Sequence, residues 1–219
     1  LEHDPQLALS VSGITFHNAC EESGFKSLQK TLDKLMPLLK SQAHCWHWIS
    51  FGGGYLLENE EELPLFNDCI SQLTQLGYES FMEPGSATIA ECGVLKTEIV
   101  DIFENGDQKI AVLNSSVNHL PESFEYNYQY PLTEATENGN CSYILAGNTC
   151  LAGDIFGTYT FNETLSIGQQ LTFEECGAYA LVKAHMFNGH NLPSIYAKNE
   201  GKLNLLKQFN YKDFWSRYN

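Results

Sequence analysis

The sequence predicts an α/β segment followed by a β domain. Three observations carry this. Apolar runs alternate with amphipathic helical patterns through about residue 92, the hydrophobic period then shortens towards two, and glycine turn signals punctuate the remainder.

The first strand is Ile14-Thr15-Phe16. Ser27 to Lys40 then sets Leu28, Leu32, Leu35 and Leu39 at spacings of three and four, the apolar face of a helix. A strand from Trp46 to Phe51 runs into three glycines. A second helix, Glu61 to Leu76, carries Leu65, Cys69, Leu73 and Leu76 on one side, with Gly77 fitting its end, and Tyr78 to Met82 reads as a third strand. Strand, helix, strand, helix, strand implies parallel pairing, either part of a β/α barrel or a small open sheet. After Gly93, Val94–Phe103 and Gln108–Leu113 flank Asn105-Gly106, a hairpin turn signal. Further strands are predicted at Tyr143–Leu145, Thr158–Phe161, Gln170–Phe173, Ala178–Met186 and Ser194–Tyr196, parted by turns at Asn138-Gly139, Ile167-Gly168 and Asn188-Gly189. The second domain is therefore mostly antiparallel, and Tyr211–Tyr218 closes the sequence as a short helix. The two domains are assigned to residues 1–92 and 93–219.

A formal charge of −15 on 219 residues opposes nucleic acid and anionic membranes and suits a cationic ligand such as a polyamine. No apolar run approaches a membrane span. Seven scattered cysteines, without a CxxC pair or metal-like clustering, read as reduced thiols of a cytoplasmic protein with no metal centre.

Several residues could carry chemistry, each with a plain structural alternative. Gly52, Gly53 and Gly54 lie between a strand and a helix, where bare amides can approach a phosphate or merely turn the chain. Glu83 and Gly85, in Glu83-Pro84-Gly85, follow a strand, where a carboxylate can hold a pyridine nitrogen protonated or be a solvated turn residue. His17 ends the first strand and can stack on a flat ring or serve the core. Cys150 and Asp154 share a loop of small residues, where they can be a proton donor and an ammonium ligand or, as for most cysteines, play a structural part. His119 follows a strand, where it can serve a site or simply belong to a surface loop. Tyr179 falls on a strand, with its hydroxyl aimed at a phosphate or packed inside.

Taken together, "TFHNACE", "FGGGY", "EPGSA", "IVDIFENG", "IAVLNSSVNHLPESFEY", "AGNTCLAGDIFGTYTF", "LTFEECGAYALVKAHMFNGHNLPSI" and "FNYKDFWSRY" resemble the ornithine/diaminopimelate decarboxylase superfamily, fold-type III. Within it they resemble the carboxynorspermidine/carboxyspermidine branch. The resemblance spans essentially the whole sequence, and NTCLAGD and FNGHNLP are its more specific blocks. It implies the C-terminal part of a (β/α)8, TIM-like barrel of the alanine-racemase type, followed by an antiparallel β barrel. It also implies pyridoxal 5′-phosphate as cofactor, decarboxylation of a carboxylated polyamine, and a homodimer in which the Cys150 loop enters the neighbouring site. By the same resemblance His17 stacks on the ring and Gly52, Gly53, Gly54 and Gly85 line the phosphate side. Glu83 pairs with the pyridine nitrogen, Tyr179 touches the phosphate and Cys150 protonates the product carbon. Glu83, His119, Asp154, Phe187 and Asn188 face the substrate.

Ser86 stands where ornithine-type members have an arginine, and Leu151 where they have an aspartate; both favour the carboxynorspermidine branch over ornithine or diaminopimelate. The family's cofactor lysine belongs to the first barrel strand. None of Lys26, Lys30, Lys34, Lys40 or Lys183 fits that place, and with no initiating methionine in Leu1–Gln6 the sequence is expected to begin after it. A non-catalytic relative is the other reading.

Overall fold

A computed structural model describes residues 10–43 and 45–218, so Leu1–Gln6 lie outside the described residues. The chain divides into two compact units, one ending at Ile89 and one starting at Ala90.

In the first unit β1 (Gly13–Thr15), β2 (Trp48–Ser50) and β3 (Glu79–Phe81) form a parallel sheet in the order β1-β2-β3. Helices α1 (Lys26–Gln42) and α2 (Leu63–Gln75) make the crossovers that parallel pairing requires. The predicted stripe of α1 is the one it buries: Leu28 and Leu39 are fully covered and Leu32 nearly so, with Leu35 packed beside them. Cys69 and Leu73 of α2 meet them over Ile49 and Phe51. At the start of α1 the Phe25 amide donates to Glu62 Oε2 at 2.6 Å, satisfying a helix-end donor that no local side chain caps. A short helix, α3 (Ser86–Ile89), ends the unit.

Strand register places the candidate residues of this unit. Thr15 lies opposite Ser50, and Ser50 opposite Phe81. His17, Gly52 and Glu83 each stand two residues beyond those aligned positions, at the C-terminal edge of the sheet.

The second unit holds a five-stranded mixed sheet in the order β7-β6-β5-β4-β8. Its strands are β4 (Leu95–Asn105), β5 (Gln108–Leu113), β6 (Cys141–Ala146), β7 (Ile155–Phe161) and β8 (Gln170–Phe173). Three pairings are antiparallel. The fourth, β5 with β6, is parallel, because residues 114–140, including α4 (Pro121–Glu125), carry the chain back across the sheet before β6 begins. Ile99, Leu113, Tyr130, Leu145, Phe156, Leu171 and Phe173 form its core. Strand β4 shifts register between Ile99 and Asp101, and its two halves pair with β8 and β5 respectively.

The predicted hairpin forms with its turn displaced by one residue. Asn105 pairs with Gln108, leaving Gly106-Asp107 as the loop, with positive φ at the glycine. Two expectations need correction. Ala178–Met186 is not a strand: Tyr179 sits in a left-handed conformation (φ 54°) ahead of a short helix, α5 (Ala180–Lys183). Lys183 accordingly lies on that helix, paired with Glu122 and Glu125 of α4. A short apolar run does not reveal its period, and Gly177 with Ala178 and Ala180 favoured the turn.

Beyond this lie the hairpin β9 (Ile195–Asn199) and β10 (Lys202–Lys207), then α6 (Tyr211–Trp215), begun by a capping box between Asn210 and Asp213. Leu203, Leu206, Tyr211 and Trp215 on these elements are all more than half exposed. Among the described residues no helix is long and apolar enough to cross a membrane, and no three or more His, Cys, Asp or Glu gather as for a metal ion.

Candidate active-site elements

The edge of the parallel sheet is tightly built. The Glu83 amide donates to Gly52 O at 2.9 Å, and Phe16 N to Ser50 O at 3.1 Å. These bonds draw the β1 and β3 ends against the glycine turn. A Cβ on Gly53 would lie 2.7 Å from Glu83 O, and one on Gly52 2.6 Å from Phe16 O. One on Gly54 would strike Ala19 O. Gly52 and Gly54 also hold positive φ, 70° and 85°. Glycine is thus required three times in succession.

Glu83 is exposed, yet Ser50 holds it: Ser50 Oγ donates to Glu83 Oε1 at 2.6 Å and accepts from Gly52 N at 3.2 Å. Ser50, 5% exposed, was not singled out from sequence, where nothing distinguishes it from any strand serine. His17 is exposed, its Nε2 3.7 Å from where a Gly53 Cβ would be. Gly85 opens α3, its carbonyl accepting from Thr88 N at 3.0 Å.

In the second unit, parallel pairing of β5 and β6 aligns Val112 with Ala146, so residues 114–119 and 147–154 leave the sheet at one edge. Asp154 joins them. It is 6% exposed and its carboxylate is filled. Oδ1 accepts from Ser116 Oγ (3.0 Å) and Val117 N (2.9 Å), and Oδ2 from Thr149 N (3.1 Å) and Thr149 Oγ1 (2.6 Å). Gly147 is explained by the same residue, because a Cβ there would occupy the Asp154 carboxylate's place. In this unit the Asp154 side chain therefore points into the loop's own frame, with no lone pair turned to solvent. Ser116 and Thr149 were also not singled out from sequence.

His119 is 5% exposed. Its Nε2 lies 3.0 Å from Asn191 O, which can only accept, so the ring proton sits on Nε2 and Nδ1 accepts from Ser115 Oγ at 2.9 Å. His190 Nδ1, 3.2 Å from the same Nε2, shares that proton. Burial, and secondarily His190, depress the His119 pKa from 6.5 to about 4, so the ring is neutral at physiological pH.

Cys150 is exposed, and Asn188 Nδ2 donates to its sulfur at 2.7 Å. Cys176 is the contrast: burial pushes its thiol up to about 12, which makes it inert. Phe187 is 45% exposed beside Asn188. Tyr179 is 52% exposed, and among the described residues no hydrogen bond joins it to the Cys150 loop. The second unit thus gathers His119, Cys150, Asp154 and Asn188, while the first gathers His17, Gly52, Gly53, Gly54 and Glu83.

Residues 13–177 match the family described as "Pyridoxal-dependent decarboxylase, C-terminal sheet domain". The chain is 30% identical over 98% of its length to a carboxynorspermidine/carboxyspermidine decarboxylase of Herminiimonas arsenicoxydans, and covers 60% of that protein. It is 31% identical over 96% of its length to a carboxyaminopropylagmatine decarboxylase of Synechocystis, covering 56%. Among solved structures, the carboxynorspermidine decarboxylase of Campylobacter jejuni in complex with norspermidine superposes with a TM-score of 0.83 at 30% identity, over 94% of this chain and 60% of that one. The chain belongs to the pyridoxal-dependent decarboxylase family. It spans about 60% of the length of these relatives.

The first unit fits the family's cofactor on its own geometry. A turn of three glycines, at each of which a Cβ would collide with a neighbouring backbone carbonyl, shares one sheet edge with a carboxylate oriented by a buried serine and with an imidazole.

Proposed function

We propose that this chain is the C-terminal part of a pyridoxal 5′-phosphate-dependent decarboxylase acting on carboxynorspermidine or carboxyspermidine, giving norspermidine or spermidine in polyamine biosynthesis. The observation that carries this reading is the shared register of His17, Gly52 and Glu83, in a chain of this family. In this reading residues 1–92 are the last units of a TIM-like β/α barrel and residues 93–219 a C-terminal β barrel. The protein works in the cytoplasm as a homodimer. The exposed Leu203, Leu206, Tyr211 and Trp215 support a surface that is covered in the intact protein.

Pyridoxal 5′-phosphate, when bound, supplies the sink for the electron pair left on carbon as CO2 departs. The chain's own residues bind, orient and move protons around it. The Gly52–Gly54 turn and Gly85 would hold the phosphate side, and Tyr179 would contact the phosphate. Glu83, turned by Ser50, would keep a proton on the ring nitrogen, and His17 would stack on the ring. Cys150, in the neighbouring subunit's site, passes its Sγ proton to the carbon that lost CO2. Phe187 and Asn188 line the substrate's path. Asp154 and His119 would act through the loops they hold, since their polar atoms are already committed to protein partners.

The substrate assignment is supported by the acidic chain, by Ser86 and Leu151, and by relatives named for long carboxylated amines. Ornithine and diaminopimelate are the competing substrates. The test is CO2 release from carboxynorspermidine by the full-length protein with and without added pyridoxal 5′-phosphate. Release that requires the cofactor is expected, and none at all would overturn the reading. Cys150→Ala should keep the cofactor and lose about 10²–10⁴-fold in turnover, whereas wild-type turnover would return Cys150 to a structural role.

A further inference from the structure

Two loops of the second unit rest on one short stretch, Ser115–His119. Loop 147–154 is tied there by Asp154 and by Asn148 N donating to Ser115 O at 3.1 Å. Loop 185–191 is tied by His185 N donating to Asn118 O at 3.0 Å, and at its far end by His119 Nε2 on Asn191 O. Between those two ties Asn188 takes a left-handed conformation (φ 57°, ψ 20°), one that asparagine reaches more readily than other non-glycine residues and that the ties on either side hold in place. That conformation presents the Asn188 amide to the Cys150 sulfur. His119 itself does not touch Cys150; it reaches the sulfur only through the loop it holds.

We propose that His119 is a positioning residue for Cys150: its Nε2–H on Asn191 O clamps loop 185–191 so that the Asn188 amide stays on the Cys150 sulfur. This rests on the reading that Cys150 gives up its proton. The Asn188 N–H occupies a sulfur lone pair, so the S–H hydrogen must point elsewhere and is free to leave. When the S–H bond breaks and the proton goes to carbon, the sulfur keeps the electron pair as a thiolate. The Asn188 donor is then already in place, and a donor to a charged sulfur is stronger than one to a neutral thiol. Ser115, accepted by His119 Nδ1, fixes which ring nitrogen carries the clamp's hydrogen.

The experiment alkylates the full-length protein with iodoacetamide at pH 7 and follows Cys150 by peptide mass, separately from every other cysteine. The variants are His119→Ala, Asn188→Gly and the double. Glycine at 188 keeps the positive φ and removes only the amide. Each single change should slow Cys150 alkylation about fivefold, the size of one lost hydrogen bond, and the double should be no slower than either single, because both break the same link. His119→Gln, whose amide nitrogen reaches as far as Nε2, should stay within about twofold of wild type. Should His119→Ala not fold, His119→Asn replaces it, since its shorter amide reaches the Ser115 side but not Asn191. In turnover, His119→Ala should lower kcat with KM within about twofold. Unchanged alkylation in His119→Ala, or in His119→Asn where that replaces it, or effects that multiply in the double, would overturn the clamp. Alkylation needs no substrate, so it judges the clamp even if the full-length protein releases no CO2, which would overturn the function instead.

Discussion

Lowering the pH from 7 to 4 should remove about 3 kcal/mol of stability from the second unit through His119 alone. The folded ring is held neutral down to about pH 4 by burial and by His190, whereas an unfolded histidine takes up its proton near 6.5. Between those values the unfolded chain binds more protons than the folded one, so stability falls as pH falls through that window and is fully present above it. A depression from 6.5 to about 4, at 1.36 kcal/mol per unit, gives the figure of about 3 kcal/mol. Glutamine at 119 has nothing to titrate yet can still donate to Asn191 O. Urea unfolding of the wild-type protein and His119→Gln at pH 7, 6, 5 and 4 separates this contribution, because carboxylates that titrate in the same range are common to both proteins. The wild type's advantage over the variant should shrink by about 3 kcal/mol between pH 7 and 4. An advantage that stays constant across the window would refute the reasoning, since the ring would then titrate alike in both states.

Gly53→Ala should weaken pyridoxal 5′-phosphate binding by the full-length protein more than tenfold, because the new methyl meets Glu83 O and forces the β2 and β3 ends apart; retention of cofactor through gel filtration, read by phosphate analysis, checks it. Ser50→Ala frees Glu83 to rotate and should lower turnover more than it lowers cofactor retention, with stability changed by only about 1 kcal/mol. Asp154→Asn should destabilise the second unit by about 2–4 kcal/mol, since an amide turns donors towards at least one of four donor partners. Thermal melts should show that loss with or without substrate present.

The parts of the fold legible in the sequence are those with a long, one-faced pattern. Leu28, Leu32, Leu35 and Leu39 announced α1, and the alternation of strands with helices announced a parallel sheet, whose register then brings His17, Gly52 and Glu83 level. What stayed hidden depends on pairings between distant residues. Asp154 reads in sequence as an acidic loop residue free for an ammonium group; only the fold supplies Ser116, thirty-eight positions earlier, to bury it. Ser50 is inconspicuous for the same reason, as its role exists only once Glu83 is alongside. The parallel pairing of β5 with β6 was masked by an intervening segment whose length, not its pattern, decides strand direction. Tyr179 was misplaced because a run of small and apolar residues supports a strand and a short helix equally.

The most direct test of the proposed activity compares kcat/KM of the full-length protein, reconstituted with pyridoxal 5′-phosphate, for carboxynorspermidine, carboxyspermidine, ornithine, lysine and diaminopimelate. The long carboxylated amines should be preferred by at least about 1.4–3 kcal/mol of transition-state stabilisation, about ten- to hundredfold, as recognition of additional ammonium groups would give. A higher kcat/KM for ornithine or diaminopimelate would contradict the substrate assignment and leave the chain a family member with a shorter substrate.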